Sequence, residues 1–192
     1  SMYGTLIYDY NKGMLTYRLV QKIILLVKKH KKPIVVDPKR DSFEIYKGAT
    51  VITPNFKELM KANKDSFQKP TIETRKIEFF SRDLIKKYNL NTVITTRSFN
   101  GLSVITKNKE AITLSSEALE VFDVSGAGDT VVAYLSLGIS AGLDMEKSAD
   151  LANKAAGISV GKFGTASVYF SEVLNYNNQT SKPVSYTHLR AH

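Results

Sequence analysis

Apolar positions along this chain alternate between short β-branched runs and longer stripes at helical spacing. Leu6-Ile7-Tyr8 is a short apolar run ending at Asp9, and Asn11-Lys12-Gly13 behind it reads as a loop. Leu15, Leu19, Ile23, Leu26 and Val27 then recur with helical period, with Thr16 placed to cap the helix. Ile34-Val35-Val36, fenced by Pro33 and Pro38, has the pattern of a buried strand, as does Val51-Ile52-Thr53 before Pro54. The spacing predicts helices over 55–63 and 72–88, a third β-rich run at Thr92–Thr96, and a hairpin from 102–105 and 111–114. Helices over 126–141 and 144–162 close the series.

Short, continuously apolar strands alternating with helices predict an α/β fold with a parallel sheet covered on both faces. Such sheets bind ligands beyond the carboxyl ends of their strands. Asp9, Asp37, Asn55 and the run Thr95-Thr96-Arg97-Ser98 all fall there.

With 192 residues, 43% of them hydrophobic, the chain can bury one domain-sized core. The absence of cysteine excludes a disulfide scaffold, a thiolate zinc site and a cysteine nucleophile, and three histidines do not make a metal cluster. No apolar run approaches the ~18 residues of a bilayer span. Residues 1–15 do not show the basic start, apolar middle and small-residue cleavage site of a secretory signal, so a soluble cytoplasmic domain without a membrane partner is expected. The net charge of +9 raises a nucleic-acid partner. Its densest run, Lys28-Lys29-His30-Lys31-Lys32, instead sits where a helix dipole favours cations, and the other lysines are scattered without aromatic interleaving. A solvated basic surface is the expectation. Ser1-Met2 resembles the scar of tag removal, and residues 176–192 are set aside as a linker or cloning-derived tail.

The stretch Asp123-Val124-Ser125-Gly126-Ala127-Gly128-Asp129-Thr130 carries the most chemistry. Two glycines and an alanine at a helix opening leave the first-turn N–H groups bare, and the dipole adds positive potential there. Asp129 then lies beside whatever anion those groups hold, placed to accept the proton of an attacking hydroxyl. The bland alternative has Ser125 capping the helix and Asp129 as an acid that the dipole favours. Asn55-Phe56-Lys57-Glu58 places an amide and a carboxylate three apart at the sheet's ligand edge, fit to organise a hydrated magnesium ion or to form a capping box. Thr95 to Ser98 with Gly101 reads as a loop contacting nucleotide or as a polar turn. The small residues Ala149, Ala152, Ala155, Ala156, Gly157 and Ser159 let another backbone come close, and the helix after the glycines is the expected neighbour. Asn153 beside them is a candidate for an adenine slot.

Taken in this order, these motifs resemble the ribokinase (PfkB-type) family of carbohydrate kinases. Asn55 to Glu58 is similar to its N-x-x-E motif and Asp123 to Thr130 to its D-x-x-G-A-G-D-T signature. Softer similarity in Asp37-Pro38-Lys39, in Gly48 to Asn55 and in Leu151 to Ala166 resembles the branch acting on D-glycero-β-D-manno-heptose 7-phosphate. The resemblance implies a three-layer αβα sheet, mostly parallel and truncated at its N-terminal side, with residues 3–175 as the C-terminal portion of the kinase domain. It implies ATP and Mg²⁺ as cofactors, Asp129 as catalytic base, and Gly126, Ala127 and Gly128 as anion hole. Asn55, Phe56, Lys57, Glu58, Arg97, Ser98, Gly101 and Asn153 then face nucleotide. Glu58 would hold Mg²⁺ through water, and Asp123 with the 161–166 loop a monovalent cation. The implied substrates are ATP and a sugar phosphate, phosphorylated at its anomeric hydroxyl on the route to ADP-heptose and lipopolysaccharide core. The intact protein would be a homodimer, and this portion alone would bind nucleotide weakly and turn over little. Another sugar or nucleoside kinase of the family, or a non-catalytic nucleotide-binding module, stands as the alternative.

Overall fold

A computed structural model describes residues 3–63, 73–118 and 122–180. Six strands form one sheet in the order of the chain: β1 (Thr5–Tyr8), β2 (Ile34–Asp37), β3 (Val51–Ile52), β4 (Thr92–Thr96), β5 (Leu102–Thr106) and β6 (Ile112–Leu114). β1 to β4 are mutually parallel, and β5 and β6 return antiparallel as the expected hairpin. The fold is thus the mostly parallel α/β sheet that the alternation predicts.

Each parallel strand lies directly beside its predecessor, so right-handed crossovers put every connection between β1 and β4 on one face. α1 (Tyr17–Lys29), α2 (Phe56–Ala62) and α3 (Glu73–Tyr88) lie there. They bury Val20, Ile24, Leu59, Ile77 and Phe80 against Ile34, Val36, Ile52, Val93 and Ile105. The alternate strand positions Val35, Val51, Ile94 and Val104 turn to the other face and meet Val131, Val132 and Leu135 of α4 (Ala127–Ser140) and Ala149 and Ala152 of α5 (Met145–Val160). The period-2 geometry of strands thereby feeds two cores from one apolar run.

α1 starts where expected, Thr16 Oγ1 accepting from Leu19 N at 3.3 Å, and ends with Lys28 and Lys29 in its last turn. Its buried face is rotated from the predicted stripe. Val20, Ile24 and Val27 point inward, while Leu19 and Leu26 are exposed, because packing on the sheet selects one of two apolar faces. α3 begins at Glu73, and the predicted start at Ile72 lies outside the described residues. Two elements had no counterpart in the pattern: a 3-10 turn at Glu44–Tyr46 and a final helix, α6 (Phe170–Thr180), which crosses residue 175 and buries Val173 and Tyr176. The small-residue face of α5 serves two neighbours. A Cβ on Gly138 of α4 would lie 2.9 Å from Ser148 Oγ, and one on Gly157 would lie 3.1 Å from the Glu117 carbonyl carbon. The approach to α4 was expected; the approach to the 115–118 segment was not.

Candidate active site

The carboxyl ends of β1, β2 and β3 open onto one edge, and the N-terminus of α4 meets them from the other face. Tyr8 and Asp37 are register partners at the ends of β1 and β2, and the Tyr8 hydroxyl donates to the Asp129 carbonyl at 3.1 Å. The tip of α4 is therefore fastened to the end of the first strand. Burial, with the Asp129 and Asp37 carboxylates adding to it, pushes the Tyr8 phenol up to about 12, so it stays a donor throughout the neutral range.

Gly126 is the N-cap of α4, in the left-handed region at φ 79°, and makes no side-chain cap bond. Ser125 does not cap: its N–H donates to Asp123 Oδ1 at 2.8 Å. The Ala127 N–H reaches the Val124 carbonyl at 3.3 Å, and intrahelical bonding begins with Thr130 N to Gly126 O at 2.9 Å. The Gly128 and Asp129 amides between them are first-turn donors without an intrahelical acceptor. Gly128 and Asp129 are exposed, and a Cβ on Gly128 would meet nothing within 4 Å. An anion can reach these amides unobstructed.

Beside the tip lies a cavity of about 300 Å³, the lower end of the usual range for small-ligand pockets. Leu102, Val124, Val131, Val160, Ala156 and Gly157 give it apolar walls, while Asn55, Thr96, Ser98, Ser116 and Asn153 supply polar groups. Ala127 and Gly128 also line it, so a flat apolar group in the slot would lie next to the helix tip. Gly101 makes the slot possible. Its φ is +82°, and a Cβ there would come within 2.0 Å of the Leu114 carbonyl oxygen and 2.6 Å of Ser116 N. Asn153 Nδ2 donates to the Ser115 carbonyl at 2.7 Å, pinning the same segment to α5.

Along the strand ends two carboxylates are held differently. Asp9 is buried and accepts from Arg40 Nε at 2.5 Å, the Tyr46 hydroxyl at 2.6 Å and Asn11 N at 2.8 Å. Burial works against its charge, but the bonds from Arg40, Tyr46 and Asn11 prevail and hold it below the ordinary carboxyl range. Asp37 is also buried, and there desolvation wins over Lys39, leaving its carboxyl raised. Lys39 Nζ lies 3.2 Å from Asp37 Oδ2 and 3.1 Å from Glu58 Oε1. Burial alone would lower the Lys39 ammonium, yet the two carboxylates raise it. Glu58 and Asn55 form the full capping box, Asn55 N to Glu58 Oε2 at 2.8 Å and Glu58 N to Asn55 Oδ1 at 2.9 Å. The cap leaves Glu58 Oε1 facing outward to Lys39, so the capping box and a ligand-facing carboxylate coexist.

The structure gathers Asn55, Ser98, Gly101, Asn153, Ala127 and Gly128 around one cavity, with Asp129 exposed on the turn beside it. It does not bring Phe56, Lys57 or Arg97 there. Phe56 packs on the core under α2, Lys57 is exposed, and Arg97 turns to Glu73 of α3, with 3.5 Å between Nε and Oε1. Asp123 does meet the 161–166 loop, its carboxylate accepting from the Ser125 and Gly164 amides, which hold it below the ordinary range. Tyr8 was not singled out from sequence, and Lys39 entered only within the Asp37-Pro38-Lys39 stretch, without a role of its own. The one available signal for Lys39 was that an acid at the end of a buried strand needs a counter-ion nearby.

The sequence profile described as pfkB family carbohydrate kinase matches residues 14–170. The bifunctional protein HldE of Syntrophotalea carbinolica is 40% identical over 168 residues, 88% of this chain and 34% of its own length. That of Pasteurella multocida is 41% identical over 175 residues, 90% of this chain and 35% of its own. The chain thus spans about a third of these relatives. Among solved structures, Arabidopsis thaliana ribokinase complexed with ribose and ATP superposes with TM-score 0.69 at 21% identity, over 84% of this chain and 52% of that one. Thermotoga maritima ribokinase gives 0.73 at 19% identity, over 91% and 57%. At these identities the likeness is one of fold, and it agrees with the three-layer αβα arrangement.

Proposed function

Since the chain belongs to the pfkB family of carbohydrate kinases, we propose that it carries the nucleotide slot and catalytic base of an ATP-dependent sugar kinase. The acceptor we propose is the anomeric hydroxyl of D-glycero-β-D-manno-heptose 7-phosphate. The observation that carries the kinase reading is the tip of α4, where amides at Gly128 and Asp129, unpartnered among the described residues, adjoin both an apolar slot and an exposed carboxylate. The similarity to bifunctional HldE proteins and the Asp37-Pro38-Lys39 and 161–166 stretches support the heptose acceptor.

In this reading the nucleobase enters the slot past Asn153, and the triphosphate runs to the α4 tip. Asp129 takes the proton of the acceptor hydroxyl as its oxygen bonds to the γ-phosphorus. The bond from that phosphorus to the bridging β,γ-oxygen breaks, and ADP leaves with the electron pair. The anion hole is formed by the amides of Gly126, Ala127 and Gly128, the Ala127 N–H exchanging its 3.3 Å bond to the Val124 carbonyl for the charge that gathers on the transferring group.

Among the described residues no group of three or more His, Cys, Asp and Glu could cage a metal. That suits magnesium, which keeps most of its waters and takes few protein ligands. Glu58 Oε1 and the Asp37 carboxylate, on the same edge, would hold it through water, and when bound it neutralises phosphate charge. A monovalent cation would be held by carbonyls of the 161–166 loop, because the Asp123 carboxylate is occupied by amide donors.

The test is a panel of acceptors with ATP on the full-length protein. Phosphorylation of heptose 7-phosphate in preference to ribose, fructose 6-phosphate and adenosine is expected. Turnover confined to another acceptor overturns the heptose assignment, and nucleotide binding with no turnover on any acceptor favours a non-catalytic module.

A further inference from the structure

Lys39 is the unexplained charge on this edge. Its ammonium bridges Asp37 at 3.2 Å and Glu58 at 3.1 Å, joining the end of β2 to the first turn of α2. Asp37 is in register with Tyr8, and Tyr8 bonds to the Asp129 backbone, so Lys39 stands one strand away from the α4 tip. Its side chain keeps 38% exposure, whereas Asp37 keeps 8%. The cation is therefore held on the solvent side of a buried acid, at the rim.

Three carboxylates, those of Asp37, Glu58 and Asp129, crowd the place where the phosphates of a nucleotide would end. A triphosphate arriving there adds further negative charge. Lysine presents a compact ammonium on a four-carbon stem, which can trade one anion for another without moving the backbone. Asp9 has its own cation in Arg40 and makes no demand on Lys39.

We propose that Lys39 grips the terminal phosphate of the bound nucleoside triphosphate, exchanging part of its two-carboxylate bridge for that contact. This rests on the nucleotide reading above. A grip on the last phosphate distinguishes triphosphate from diphosphate, whereas a purely structural bridge does not.

The experiment is calorimetric titration of this chain with ATP and with ADP, each at excess magnesium, for the wild type, Lys39→Met and Lys39→Arg. The wild type is expected to prefer ATP. Lys39→Met should weaken ATP by about tenfold or more while ADP changes less than about twofold, in line with loss of one charge-assisted contact. Lys39→Arg should keep most of the preference. Because the readout is a ratio of two affinities in the same sample, partial unfolding of a variant does not imitate it. Equal weakening of ATP and ADP in Lys39→Met, or no change in either, overturns the proposal. A wild type that binds neither nucleotide overturns the nucleotide reading and this inference with it, and the two failures are told apart by the wild-type titration alone.

Discussion

The Asp9 amide donates to the Asp37 carbonyl at 3.1 Å, yet the two side chains are held in opposite electrostatic states. Arg40, Tyr46 and Asn11 stabilise the charged form of Asp9, while burial disfavours that of Asp37 despite Lys39. For Asp9, lowered in the fold, the stability is present above the unfolded value and lost as pH falls through the folded one. For Asp37, raised in the fold, the contribution is full below the unfolded value and lost as pH rises through the folded one. Urea unfolding at neutral pH should therefore show Asp9→Asn losing about 3 kcal/mol by stranding Arg40. Asp37→Asn should lose little or gain, since Lys39 keeps Glu58. Equal losses in both variants would contradict this assignment.

Asp129→Asn keeps the shape of the α4 tip and removes the proposed proton acceptor. In the full-length enzyme kcat should fall by about 10²–10⁴-fold, the usual contribution of a general base. Nucleotide affinity should stay close to the wild type, because the amides are untouched. Steady-state kinetics with calorimetry checks both halves, and a variant keeping most of its rate removes Asp129 from the chemistry.

Gly101→Ala places a methyl group into the 114–116 backbone at a φ that alanine rarely adopts. A loss of at least about 2 kcal/mol in thermal or urea unfolding is expected. The slot should suffer as well, since the displaced segment forms its wall through Ser116. Unchanged stability would mean that the close approach of these backbones is relaxed in solution.

Thr95 and Ser103 face each other across β4 and β5, both buried, with neither hydroxyl oxygen partnered among the described residues. Each hydroxyl is shielded from bulk solvent without a protein partner among the described residues. Thr95→Val and Ser103→Ala should each raise stability, by about 1 kcal/mol. Their urea midpoints measure this, and a loss would reveal an internal water bridging the pair.

Much of this architecture was legible because β2, β3 and β4 are built on β-branched runs between prolines or polar turns, and Gly126 to Asp129 and Asn55 to Glu58 are contiguous motifs. A contiguous motif carries its own geometry. What escaped depends on three dimensions. α1 has two apolar faces, and only the sheet decides that Val20 and Ile24 go in while Leu19 stays out. α6 offers little more than Val173 and Tyr176 as an inward face among asparagines, too thin a stripe to mark a helix. Arg97 follows a strand at the ligand edge, but its attraction to Glu73 across 24 positions leads it away from the cavity. Lys39 gains its meaning from Glu58, which the local sequence does not place beside it.

The hydrogen bond from Tyr8 to the Asp129 carbonyl spans 121 positions. During synthesis β1 emerges well before the glycine turn that Tyr8 fastens, so the end of this strand waits for its partner until α4 has been made. Contacts of such separation are late and slow to form. The proposed reacting centre thus depends on a closure that the pairing of neighbouring strands does not need.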